Sequence, residues 1–176
     1  ELLRTPSSLY VWMQLDEDRH KHVITSAHQL LHEWWKQTLE RCEQKSINIY
    51  EMDQFAHDIA ERMSTRSIFV LPRRSLSAHE RLIKELVSEG LLTDDPSKVT
   101  FVHQTFLDYF VINRYLDQIA DGRAITDIIG DRDAQTPNLR YRFLVLLQEL
   151  CEYDECLFLE QCQILMHSDN VRHYYK

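Results

Sequence analysis

Glycine and proline are scarce in this chain of 176 residues, which has three glycines and four prolines. Few tight turns are therefore available, and the composition predicts long helices rather than a strand-rich fold. No apolar run reaches the roughly 18 residues that suggest a membrane-spanning helix. The first residues form an amphipathic stretch without a signal-peptide cleavage pattern, so we expect a cytoplasmic protein with no membrane partner. Glu1 stands where a full-length chain has methionine, which suggests a piece of a longer protein.

The chain also has fewer basic than acidic residues. The 20 Lys and Arg residues face 28 Asp and Glu residues, for a net charge of −8. Nucleic-acid binders usually carry a basic stripe, so the whole-chain charge disfavours a nucleic-acid partner. None of the four cysteines forms a CxxC pair, and without a secretory signal we expect free thiols. Cys151, Cys156 and Cys162 are spaced too unevenly to face one site, so we expect them to be small core residues.

Recognisable catalytic and metal-binding motifs are missing. The sequence contains no glycine-rich phosphate loop and no GxxxxGK followed by Ser or Thr. We therefore expect no catalytic residues, no metal ligands and no enzyme activity in this chain itself. His28 and His32 lie four residues apart and could share one helix face suitable for zinc. No third ligand follows in a known pattern, which favours a solvated or interface face for this pair.

Start signals place two helices in the N-terminal part. Thr5 is a suitable N-cap and Pro6 suits the first helical position, so a first helix should run from Pro6 to Leu15. The charged residues 16–19 should end it. Apolar spacing then predicts a longer amphipathic helix over about residues 23–41.

The middle of the chain alternates helices with short β-type runs. Asn48 and Glu51 predict a capped helix, and residues 67–71 predict a short strand ended by a proline. A second capping box is expected at Ser77 and Glu80, opening a helix that ends at Gly90. A hairpin turning at residues 94–96 then leads into an aromatic helix. This order of helix, strand, helix and hairpin is typical of a winged helix.

The C-terminal part predicts three further helical pieces. Residues 121 and 122 should end the aromatic helix, and a short helix is expected over residues 124–129. Thr136 and Pro137 signal the start of the next helix, and the last should cover about residues 154–167. The final two could begin a helical solenoid, and residues 171–176 should be frayed or cut from a longer protein.

The predicted fold class is mainly α, with a small β-hairpin wing. A helical segment (residues 1–46) should precede a winged-helix domain (residues 47–120) and a C-terminal helical domain (residues 121–176).

His103 falls where the second wing strand meets the aromatic helix. Unpaired backbone N–H groups and the positive end of the helix dipole gather at such a helix start. An imidazole donor beside them could contact a phosphate. The other interpretation is a histidine that only caps the helix or packs on the wing.

The helix over residues 77–89 bears on DNA binding, because it would enter the major groove of a DNA-bound winged helix. Its net charge is about −1 by counting its charged side chains, which disfavours approach to phosphates. The charged residues are Glu80, Arg81, Lys84, Glu85 and Glu89.

Three stretches resemble the region that follows the nucleotide-binding core in NACHT proteins of the STAND NTPase class. Residues 2–9 are similar to the family's proline-containing element after the ATPase core. Residues 28–39 are similar to a helix with a leucine and an aromatic pair. Residues 90–116 are similar to the winged-helix ending in which FxHxxFxxYF recurs, here from Phe101 to Phe110.

The resemblance implies a nucleotide-dependent switch. Pro6 would pack on adenine and His103 would contact the β-phosphate of ADP. ATP or ADP with Mg²⁺ would be bound by the parent protein, and this region would hold no cofactor of its own. Its partners would be the NTPase core of the same chain and, after activation, further copies in a homo-oligomer, as in innate immune defence. Two alternatives remain: a DNA-binding winged-helix transcriptional regulator and a helical protein-interaction adaptor.

Overall fold

The computed structural model describes residues 6–15 and 24–175. Over these residues the chain is mainly helical with one small antiparallel sheet, which confirms the predicted fold class. The chain divides into two compact units, Glu1–Val111 and Ile112–Lys176. The division falls inside a helix that supplies residues to both units, and the limits drawn from sequence at residues 46 and 120 stay predictions. In the described part no helix is both long and apolar enough to cross a membrane.

The first unit is built from helices α1 to α4, the part of α5 up to Val111, and two short strands. The helices are α1 Pro6–Gln14, α2 Ala27–Gln44, α3 Ile49–Thr65, α4 Glu80–Ser88 and α5 Gln104–Ala120, and the strands are β1 Leu71–Pro72 and β2 Lys98–Val99.

The N-terminal helices begin close to where the sequence predicts. α1 covers Pro6–Gln14, while its expected cap Thr5 and the charged residues 16–19 lie outside the described residues, so its predicted start stays a prediction. α2 starts after Ser26, whose Oγ accepts a hydrogen bond from the Gln29 N–H at 3.0 Å. Residues 24–26, which the sequence placed in this helix, are not helical, and α2 runs three residues beyond Arg41.

Paired aromatic side chains hold α2 against α5. The Trp34 and Phe106 rings lie 4.8 Å apart between centroids. One residue further on in α2, Trp35 meets Phe110 edge-to-face at 5.0 Å. Each such ring pair stabilises by about 0.5–1.5 kcal/mol beyond the burial of its apolar area.

The indole N–H groups of the same tryptophans tie in two more helices. Trp34 Nε1 donates to Gln14 Oε1 of α1 at 3.1 Å. Trp35 Nε1 donates to Asp53 Oδ1 of α3 at 2.7 Å. Two adjacent residues of α2 therefore contact α1, α3 and α5.

The start and the buried face of α3 match the sequence pattern. Asn48 Oδ1 accepts from the N–H groups of Tyr50 and Glu51. All six apolar positions of the predicted stripe are buried: Met52, Phe55, Ala56, Ile59, Ala60 and Met63.

The strand predicted over residues 67–71 is largely absent. Ser67 adopts a left-handed φ of 52°, and its N–H donates to Ser64 O while the next N–H donates to Met63 O. Residues 67 and 68 of the predicted strand therefore terminate α3. Only Leu71 and Pro72 enter a strand, and the preceding Phe69 and Val70 are about half exposed.

The small sheet joins β1 to the wing. β1 pairs antiparallel with β2 in the register Leu71↔Val99 and Pro72↔Lys98. The hairpin itself is closed by the bridge Leu92↔Phe101. Helix, strand, helices and hairpin therefore follow one another in winged-helix order.

The capping box predicted at Ser77 and Glu80 is wrong. Residues Arg73–His79 form a 3₁₀ segment, and α4 begins at Glu80 without a side-chain cap. The Glu80 carboxylate instead accepts hydrogen bonds from the Arg73 guanidinium, at 2.5 and 3.2 Å. An ion pair across the 3₁₀ segment has displaced the expected local cap.

Gly90 ends α4 as predicted. Its φ is +77°, its N–H donates to Val87 O, and the Leu91 N–H donates to Leu86 O, which is a Schellman arrangement. A Cβ built on Gly90 would lie 2.8 Å from the Tyr10 hydroxyl oxygen, so α1 approaches the backbone closely here.

The second unit contains α6 Ile125–Ile129, α7 Pro137–Tyr153 and α8 Glu155–His167. Thr136 caps α7 and Asp154 caps α8 through side-chain oxygens, as their positions predict. The buried side chain of Gln161 accepts a hydrogen bond from the Ile125 N–H at 2.8 Å and so takes the place of a cap for α6.

Two expectations for the C-terminal part are wrong. The end of the described chain is not frayed, because Val171 and Tyr175 are buried and the Tyr175 hydroxyl donates to Thr136 O at 2.8 Å. That the chain is cut from a longer protein stays a prediction. Cys151 and Cys156 are exposed and Cys162 is only partly buried, so these three are not core residues. Their positions fall on the outer faces of α7 and α8, which the spacing alone did not reveal.

We expect Gly90→Ala to lower the melting temperature more than Gly122→Ala does. Both glycines have positive φ, +77° and +92°, so both alanines carry a conformational cost of about 1 kcal/mol. Only Gly90 has a neighbour in the way, since nothing lies within 4 Å of a Cβ at Gly122. Thermal unfolding of both variants measures the difference.

Removing the Tyr10 side chain should abolish most of the difference in melting temperature between the two variants. In a Tyr10→Ala background, Gly90→Ala should cost about as much as Gly122→Ala does in the wild type. An unchanged excess cost in that background would show that Tyr10 is not the obstacle.

Candidate functional site

His103 caps α5 and is exposed. Its Nδ1 accepts a hydrogen bond from the Thr105 N–H at 3.2 Å and lies 2.5 Å from Thr105 Oγ1. Its carbonyl accepts from the Phe106 N–H at 3.1 Å. The capping role considered from the sequence is therefore real.

The cap also selects a tautomer. A ring nitrogen that accepts from an N–H cannot itself carry a proton, so the neutral His103 ring bears its proton on Nε2. Because the side chain is exposed, that Nε2–H is a donor available to a ligand beside the N-terminus of α5. Capping and phosphate contact are thus compatible, since they use different ring nitrogens.

An open depression of about 310 Å³ adjoins His103. Its wall is mainly apolar, because most of its lining residues are apolar. Phe69 and Val102 on this wall are each about half exposed. Its lining residues are Met63, Phe69, Thr100, Phe101, Val102, His103, Gln104 and Leu107.

Pro6 lies exposed at the first position of α1. Ser8 of α1 and Thr105 of α5 line the same small internal cavity of about 10 Å³, so the first turns of these helices are neighbours. Pro6 and His103 each stand two residues before these lining positions. Both predicted nucleotide contacts therefore stand at the N-terminal end of a helix.

The histidine pair of α2 faces a tyrosine. His32 Nδ1 lies 3.2 Å from the Tyr109 hydroxyl oxygen, and the His28 ring centroid lies 5.0 Å from that of Tyr109. The pair therefore belongs to the contact between α2 and α5. This confirms the interface interpretation.

Sequence reasoning missed a cluster between α2 and α4. Ligand atoms of Cys42, Glu85 and Glu89 lie within 4.8 Å of one another, a spacing that could hold a metal ion. Lys45 pairs with both carboxylates, and Arg41 pairs with Glu89 at 2.8 Å. The two sides of the cluster are 40 or more positions apart in the chain, and no local motif signals them.

Titration in this cluster favours ion pairing over metal binding. Burial raises the pKa of Cys42 to about 11, with Glu89 and Glu85 adding to the effect. Burial alone would raise the pKa of Glu89, but hydrogen bonds from Lys45 and Arg41 outweigh it and the pKa is lowered. The thiol therefore stays protonated while the carboxylate stays ionised and paired. A metal would have to displace Lys45 and deprotonate the thiol.

We expect Cys42 to resist thiol reagents in the folded protein at pH 8. It is fully buried and its pKa is raised to about 11, so little thiolate forms. Cys151 and Cys156 are exposed and should react first, with the partly buried Cys162 slower. Ellman's reagent followed by peptide mapping gives the order, and denaturation should release the fourth thiol. Rapid native labelling of Cys42 would contradict this geometry.

No family model, curated protein or solved structure matches this chain.

Proposed function

We propose that this chain is the regulatory winged-helix and helical module of an ATP/ADP-switched NACHT-type signalling NTPase. It would close on the nucleotide-binding core of its own protein in the cytoplasm and release it on activation, when copies assemble into a homo-oligomer. The proposal rests on the resemblance of residues 2–9, 28–39 and 90–116. It is supported by the structure around His103.

The single observation that carries the proposal is the exposed His103 at the start of α5, whose Nδ1 is held by Thr105 so that Nε2 faces away from the cap. Thr105 occupies the other ring nitrogen, so the donor is oriented by the helix start itself. The positive end of α5 adds to its attraction for a phosphate. Pro6, on the neighbouring first turn of α1, could meet the base of the same nucleotide.

The His103 contact would act on the switch through its free energy. A ligand shifts an equilibrium only by the difference in its interactions with the two states. A hydrogen bond to a charged phosphate, made only in the closed state, is worth about 1.5–3 kcal/mol. Such a contact would favour the closed state by roughly ten- to a hundredfold.

The chain alone should not hydrolyse ATP, because its sequence has no phosphate loop. Phosphate release measured with millimolar ATP and Mg²⁺ should equal that of buffer. Turnover above buffer that disappears on mutating a residue of this chain would contradict the proposal.

In a protein carrying this chain after its nucleotide-binding core, His103→Asn should release ADP at least about tenfold faster. Asparagine can still cap α5, but it lacks the imidazole donor. Stopped-flow displacement of a fluorescent ADP analogue measures the rate. His173→Asn, at an exposed histidine of the second unit, is the matched control.

Thermal melts separate the two roles of His103. His103→Ala loses the cap and should cost about 0.5–2 kcal/mol of stability, whereas His103→Asn should melt close to wild type. An ADP release rate in His103→Asn equal to that of the control would overturn the nucleotide contact.

A further inference from the structure

Every acidic side chain of α4 is held in an ion pair. Glu80 pairs with Arg73 at 2.5 Å. Glu85 pairs with Lys45, and at the end of the helix Glu89 accepts from Lys45 at 2.9 Å. Arg41 also pairs with Glu89. The negative charge counted along this helix is therefore neutralised by residues of α2 and of the 3₁₀ segment.

The basic side chains of the same region are exposed. Arg81 and Lys84 lie three residues apart on α4, and Arg74 lies in the 3₁₀ segment before it. Among the described residues none of the three has an ion-pair partner within 4 Å. Residues three apart on a helix share a face, so Arg81 and Lys84 make the outer face of α4 positive overall. The partly exposed Glu80 carboxylate acts on Lys84 as well as on Arg73. Exposed Ser77 adds a hydroxyl donor, whereas the Ser88 hydroxyl donates to Glu85 Oε1 at 3.5 Å.

We infer that Arg74, Arg81 and Lys84 form a surface that binds the phosphate backbone of duplex DNA. Guanidinium, ammonium and hydroxyl donors are the groups that contact backbone phosphates. A surface helix about 10–12 Å across also fits the major groove, which is about 12 Å wide. This surface is independent of the His103 contact and does not rest on the proposed nucleotide switch.

The binding should be weak and strongly dependent on salt. Asp94 at the wing tip is exposed and the whole chain carries −8, and both oppose phosphates. Three cationic contacts predict a slope of about −2.7 in log affinity against log salt. Affinity should then fall about 40-fold between 50 and 200 mM salt.

The test is fluorescence anisotropy of a labelled 20-base-pair duplex titrated with the full chain at 50–200 mM salt. Arg81→Gln/Lys84→Gln should reduce the salt slope by about 2 and weaken binding at 50 mM salt at least tenfold. The matched control, Lys36→Gln/Arg62→Gln, removes two exposed positive charges from α2 and α3. It should bind nearly as well as the wild type.

Melting curves must show that both double variants are folded, and polyglutamate at equal charge concentration is the competing polyanion. The proposal is supported if the wild type still binds the duplex in the presence of polyglutamate and only the α4 variant loses binding. Equal weakening in both variants would show a general charge effect and overturn it. Displacement of the duplex by polyglutamate would assign the surface to acidic protein partners instead. The absence of duplex binding at 50 mM salt would also refute the proposed DNA binding.

Discussion

The contacts of Trp34 and Trp35 are the constraint on which the first unit depends. Each indole presents a ring to α5, while its N–H group binds α1 in one case and α3 in the other. A buried indole needs both kinds of partner, because an unpaired N–H in the core costs about 1–3 kcal/mol. The position of α2 therefore decides where three other helices can lie.

The candidate nucleotide contact follows from this arrangement. Phe106, whose ring packs at a tilt against Trp34, is three residues from His103 and donates its N–H to the His103 carbonyl. Thr105 then completes the cap and sets the ring's tautomer. A change that loosens the tryptophan contacts should therefore also disturb His103, the proposed phosphate donor, although neither tryptophan would touch a nucleotide.

Helix ends were predictable from the sequence where the capping residue and its partners are close in the chain. They were not predictable where a residue outside the expected cap binds one of its members. Asn48 and Gly90 act as expected because their partners lie within a few residues. The cap expected at Ser77 failed because Arg73 binds Glu80. The position of His103 before a helix could be read from the sequence, but its tautomer and the nearness of α1 required the three-dimensional structure.

The surface charge of α4 was also mispredicted because distant residues bind its side chains. Counting charges along the helix treats Glu85 and Glu89 as groups that face a ligand. The structure pairs Glu89 with Arg41 and Lys45, and Glu85 with Lys45, at the C-terminal end of α2 and 40 or more residues earlier in the chain. Those pairs leave the outer face to Arg81 and its basic neighbours. The sign of a surface thus depends on tertiary partners, which the order of residues along a single sequence does not reveal.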